Sequence, residues 1–152
     1  TIMTGKTVGT VTTSMVRALV LLAAMLVGGV VKLHFGGLLL TLVFMFFISA
    51  AFVSLGIALA SWMTDIHGFQ LIMNFIIMPV FFLSGALFPL ENLPWWLHVL
   101  TLANPLTYGV DGIRFALGGP FRFNPLFDLA ILSLFWLVTT LAGAFMFRRM
   151  YA

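Results

Sequence analysis

The sequence predicts an all-α, polytopic membrane protein with four transmembrane helices and a broken, tryptophan-bearing segment ahead of the last of them. Three observations predict it. The chain is 62% hydrophobic and 7% charged, with a mean hydropathy of +1.19, a balance that soluble domains do not carry. Its apolar residues fall into four stretches close to the roughly 20 residues that cross a hydrocarbon core. Between the last two of these, residues 88–114 (FPLENLPWWLHVLTLANPLTYGVDGIR) gather three of the six prolines, two adjacent tryptophans and three charges.

The same composition excludes several function classes. A net charge of +3 without a basic run or basic–aromatic interleaving gives no footprint for nucleic acid. With no cysteine there is no disulfide framework, thiolate nucleophile or cysteine-based metal site. His34, His67 and His98 are dispersed, no nucleophile–base pair is evident, and no Gly-rich phosphate loop occurs. No catalytic residue and no metal site are expected.

In chain order, residues 1–13 read as a polar lead-in with Lys6 as their only charge, and the chain is expected to be a piece of a longer protein because it starts at Thr1. Residues 11–31 form the first span. Arg17 interrupts it and is expected in the first turns, with its guanidinium reaching the headgroups. The second span, residues 38–62, carries no charge; Ala50, Ser54 and Ala58 fall on one stripe, and Gly56 and Ala60 on another, the small-residue pattern of close helix packing in lipid. Asp65 and His67 belong to a solvated turn, since a two-apart pair without a third ligand makes no metal site. The third span, residues 69–88, contains Pro79 and softens at Ser84 and Gly85.

Pro89 and Pro94 then bias the backbone away from helix and make residues 90–93 a turn. Trp95 and Trp96 restart an apolar segment with side chains suited to a bilayer interface. Asn104-Pro105 breaks the chain again, after which Asp111 and Arg114, three apart on a helix, form a candidate ion pair, the alternative being that each pairs with a neighbouring helix end. Gly118, Gly119 and Pro120 form a second break, Arg122, Asn124 and Asp128 a polar approach, and residues 129–147 the last span, closed by Arg148 and Arg149. The positive-inside rule puts that end in the cytoplasm, with Lys6 and Arg17 on the same side and Lys32, Arg114 and Arg122 opposite. Residues 89–118 are therefore expected outside, as two short helices that dip into the outer leaflet and return. Irregular backbone at such depth must be covered by protein or line a cavity.

Two motifs, FLSGALFPLENLPWWL (residues 82–97) and NPLTYGVDGIR (residues 104–114), resemble the C-terminal signature of ABC-2 type transporter permeases. The resemblance is particularly to the daunorubicin/multidrug-resistance export group and the related nodulation-factor exporter. The matching positions are Ser84, Gly85, Phe88, Pro89, Pro94, Asn104, Pro105, Asp111 and Arg114, with Trp95 and Trp96 completing the gate region. The resemblance implies the last four of six spans, a re-entrant extracytoplasmic helical hairpin and cytoplasmic termini in a cell (inner or plasma) membrane. It further implies a second permease copy and a separate ABC ATP-binding subunit that carries ATP and Mg, so that this chain holds no cofactor and is not an enzyme.

The expected function is thus that of the membrane-spanning subunit of an ATP-driven exporter for hydrophobic drug-like or lipid-linked substrates. Phe81, Phe82 and Met78 are the candidates for soft, apolar substrate contacts. The alternative is an ion-coupled secondary transporter or channel subunit. That mechanism calls for intramembrane carboxylates, and every acidic residue lies outside the four apolar stretches as drawn from sequence.

Overall fold

The computed structural model describes residues 2–29, 35–61, 63, 65–87 and 93–150, and the described residues form six helices with no strand. These are α1 (Ile2–Val27), α2 (Phe35–Ala60), α3 (Ile66–Leu83), α4 (Trp95–Ala103), α5 (Pro105–Ala116) and α6 (Pro125–Met150). Three are long and apolar enough to cross a membrane, over Thr7–Val27, Phe35–Ala60 and Pro125–Phe145, and α3 is a shorter apolar helix. At 1.5 Å per residue α3 is about 27 Å long, just under the hydrocarbon thickness of about 30 Å. The chain is a multi-pass, all-helical membrane protein.

Element boundaries move where capping chemistry outweighs hydropathy. The polar lead-in is helical from Ile2 on, and Thr12 and Thr13 donate their hydroxyls to the carbonyls of Val8 and Gly9 (2.8 and 2.9 Å), so these polar side chains are satisfied within the helix. Arg17 consequently sits, exposed, in the middle of α1 and not in its first turns. Asp65 is the N-cap of α3, its carboxylate accepting from the amides of His67 (3.2 Å) and Gly68 (2.9 Å), which gives the Asp65–His67 turn a structural role. The third helix ends at Leu83, five residues before the expected limit. Ser84 caps it, its hydroxyl donating to the Phe81 carbonyl at 2.6 Å, and Gly85 adopts the left-handed φ of +76° that terminates helices.

The last span starts four residues earlier than expected. Asn124 caps α6 by accepting from the Leu126 amide at 3.0 Å, and Pro125 takes the first helical position, where its missing donor is not needed. Asn104-Pro105 opens α5 in the same way. This shift carries Asp128 into the first turns of a spanning helix.

The most extensive packing is between α2 and α6, with α5 wedged against both. The small stripe of α2 does what its spacing predicts: Ala50, Ala51, Ser54 and Ala58 are buried. Thr140 donates to the Ser54 hydroxyl at 3.1 Å and Thr139 lies 3.5 Å from the Ala51 carbonyl across the same contact. Phe46, Phe47 and Trp136 add edge-to-face ring contacts along this seam. The core is Phe44 of α2, Tyr108 of α5 and Leu132 of α6, flanked by Leu40, Ile48 and Phe123.

Candidate functional site

The site is α5 and what it holds. Its inner face, Thr107, Tyr108, Gly109, Asp111 and Gly112, is buried. Two glycines permit the approach to α2: a Cβ at Gly109 would lie 2.6 Å from the Ile48 side chain, and one at Gly112 would lie 2.2 Å from carbons of the Phe44 ring. At 1.5 Å per residue, Phe44 and Ile48 lie about 14 and 20 Å along α2 from Phe35, in a helix about 39 Å long. The backbone of α5 therefore reaches roughly the mid-depth of a spanning helix.

Toward α3, α5 presents three donors. The Asn104 side-chain amide donates to the Val80 carbonyl at 2.6 Å, the Thr107 hydroxyl reaches the Leu83 carbonyl at 3.4 Å, and the Arg114 guanidinium donates to the Gly85 carbonyl. The first two carbonyls belong to the last turn of α3, where helices leave acceptors without intrahelical partners, and Gly85 follows its cap, Ser84. Cationic and amide donors there also complement the negative end of the helix dipole. Toward α6, α5 presents an acceptor. The Asp111 carboxylate takes the Arg122 amide on both oxygens (2.9 Å each) and the Phe123 amide at 2.8 Å, pinning the turn that leads into α6. The Tyr108 hydroxyl donates to the Leu102 carbonyl at 2.7 Å and ties α4 to α5. One short helix thus clasps the end of α3 on one side and the start of α6 on the other.

Of the two arrangements expected for Asp111 and Arg114, the mutual ion pair is not made, while Arg114 does reach a neighbouring helix end, that of α3. Each reaches a different stretch of backbone, and no salt bridge joins them among the described residues. Three apart on a helix, the two side chains diverge toward opposite neighbours, and each finds buried backbone groups that would otherwise lack partners. Ser84, Gly85, Asn104 and Pro105 come together at the α3–α5 contact. Pro94 precedes α4, while Trp95 and Trp96 point outward, 80% and 52% exposed, away from the clasp. Phe88 and Pro89 lie outside the described residues, as do Lys32, His34 and Trp62. Among the described residues there is no cluster that could hold a metal ion.

Beneath the clasp is an apolar cavity of about 370 Å³ between α1, α2, α3 and α5, with Ser14, Ile48, Phe52, Val80, Phe81 and Leu106 among its walls. Of the three side chains expected to meet substrate, Phe81 lines it; Phe82 and Met78 are exposed and do not. Sequence reading missed Thr107, although its place three residues after Asn104 puts it on the same face. It also missed the amides of Arg122 and Phe123, for which a sequence carries no signal.

The described residues form a helical, multi-pass membrane domain in which one short helix, α5, is packed among the long ones beside an apolar cavity. The profile of the ABC-2 type transporter family matches residues 1–117, and the chain belongs to that family. It is 29% identical over 99 residues to nodulation protein J of Rhizobium leguminosarum bv. viciae, covering 65% of this chain and 38% of that protein. It is 47% identical over 38 residues to "Putative transport permease ycf38" of Cyanophora paradoxa, covering 25% of this chain and 13% of that one. The chain thus matches well under half the length of these relatives. No solved structure matches it.

Proposed function

We propose that this chain is the pathway-forming part of an ATP-driven exporter, which moves hydrophobic drug-like or lipid-linked substrates outward across a cell membrane. ATP and Mg are bound by a separate ATP-binding subunit, two permease copies enclose the pathway, and the C-terminus after Arg149 faces the cytoplasm. The observation that carries the reading is α5 itself, sunk to the mid-depth of α2 and fastened to two neighbouring spans by polar side chains. Backbone that breaks at such depth has a place in a membrane only where protein covers it or a pathway runs beside it. Trp95 and Trp96, exposed on α4, suit the outer interface, and an uncharged cavity lined by Phe52 and Phe81 suits an apolar cargo.

In this mechanism α5 is the outer gate. Nucleotide binding on the partner moves the cytoplasmic ends of the spans, and the clasp passes that motion from α3 to α6 or yields to it, opening the outer mouth. The test is purification of the full-length subunit from its native membrane with an assay for vanadate-sensitive ATP hydrolysis. Recovery of an ATP-binding subunit with substrate-stimulated hydrolysis supports the reading. An intact permease that never brings an ATPase with it moves the weight to the ion-coupled alternative, for which one observation speaks: Asp128 lies inside a spanning helix.

A further inference from the structure

Asp128 is completely buried, 0% exposed, and neither of its carboxyl oxygens has a hydrogen-bond partner. Donors on the elements around it make their hydrogen bonds elsewhere. The first amides of α6 are served by Asn124, the Tyr108 hydroxyl by Leu102, the Arg114 guanidinium by Gly85, and the amides of Arg122 and Phe123 by Asp111. On α2 the buried hydroxyl of Thr41 donates to its own helix at Gly37.

The charged and titratable groups on the elements packed against α6 are few. From α5 they are Tyr108, Asp111 and Arg114, from the preceding turn Arg122, and Phe35–Ala60 of α2 contains none. Asp111, the acceptor for three amide contacts, is a like charge and adds repulsion to any anion at Asp128. An ionised carboxyl sealed from water without donor or cation is among the least favourable arrangements in a protein, whereas the neutral acid costs no more than an unpaired polar group. The site has no opening for a hydrated metal ion or a basic side chain. A proton needs none.

We propose that Asp128 is a proton-binding site: the carboxyl is packed in the α5–α6 contact as the neutral acid, and parting of α5 from α6 admits water and ionises it. The docked arrangement then holds a proton that the parted one releases. By linkage, acid favours the docked clasp, and raising the pH favours its release. The site therefore makes the outer gate sensitive to the pH at its mouth, whatever energy source drives transport.

The test uses the full-length subunit with carbon-labelled aspartate. At neutral pH, infrared spectroscopy is expected to show a protonated-carboxyl stretch that shifts with the label and is absent from Asp128→Asn. Asp128→Asn and Asp128→Leu, which mimic or replace an uncharged group, are expected to assemble like the parent. On going from mildly acidic to mildly alkaline conditions the parent should lose thermal stability relative to both. Absence of the labelled band in the unsubstituted protein overturns the proposal whether or not the variants fold. Failure of both variants to assemble overturns it as well, because it would show that Asp128 serves as an anion with a partner.

Discussion

Asp111 and Arg114 distinguish a clasp from an ion pair, and the two arrangements respond oppositely to charge reversal. In the structure Asp111 accepts from two backbone amides and Arg114 donates to one carbonyl, with no shared partner. A hydrogen bond to a charged group contributes about 1.5–3 kcal/mol net, so Asp111→Ala, which strands the amides of Arg122 and Phe123, should cost about 3–6 kcal/mol. Asp111→Asn keeps one neutral acceptor worth about 1 kcal/mol and should cost about 2–5 kcal/mol. Arg114→Ala removes a single charge-assisted contact and should cost about 1.5–3 kcal/mol. The decisive variant is the reversal, Asp111→Arg with Arg114→Asp: an arginine cannot accept from the turn amides, and an aspartate cannot donate to Gly85. It should be at least as damaging as Asp111→Ala, and a double-mutant cycle on the two alanine variants should give a coupling below about 0.5 kcal/mol. Unfolding of the full-length subunit in lipid nanodiscs measures all of these. Recovery of stability in the reversed variant would refute the clasp and restore a direct pair.

Other substitutions probe the fit of α5. Gly112→Ala should cost about 1–3 kcal/mol through overpacking against Phe44, with Gly109→Ala milder because the Ile48 side chain is better able to rotate away; folded yield and thermal midpoint report both. Asn104→Asp keeps the cap on Leu106 and loses the donor to Val80, whereas Asn104→Ala loses both, so their stabilities should fall in that order by about 1 kcal/mol per contact. At mid-helix in α1, Arg17→Leu should favour membrane insertion of that segment by about 3 kcal/mol on insertion scales. A glycosylation-reporter insertion assay reads this directly, and no change would place Arg17 at the interface.

Much of this architecture is written in the chain at the level of composition and punctuation. Uncharged stretches announce spans because the bilayer supplies no partner for charge, and the Ala50–Ser54–Ala58 stripe announces the contact that buries it. What hydropathy misplaces, capping residues correct. Asn124-Pro125 carries the same signal as Asn104-Pro105, and reading it as a helix start would have put Asp128 inside the last span. The partners of Asp111 were not legible for a different reason: its ligands are backbone amides eleven and twelve residues away, brought to it by the turn at Gly118, whose φ of +75° ends α5. Sequence spacing favours the nearest opposite charge, but in a low-dielectric contact an unpaired amide competes on equal terms. Nor does any periodicity disclose that Asn104 and Thr107 face carbonyls of α3, and Arg114 that of Gly85 just beyond it, more than twenty residues earlier.

The most direct test of the functional account is export of a fluorescent hydrophobic dye from cells that carry the full-length permease with its ATP-binding subunit. Export should stop when that ATPase is disabled by substitution and continue when the proton gradient is collapsed. Export that continues without ATP hydrolysis, or that fails with the gradient alone, would contradict it.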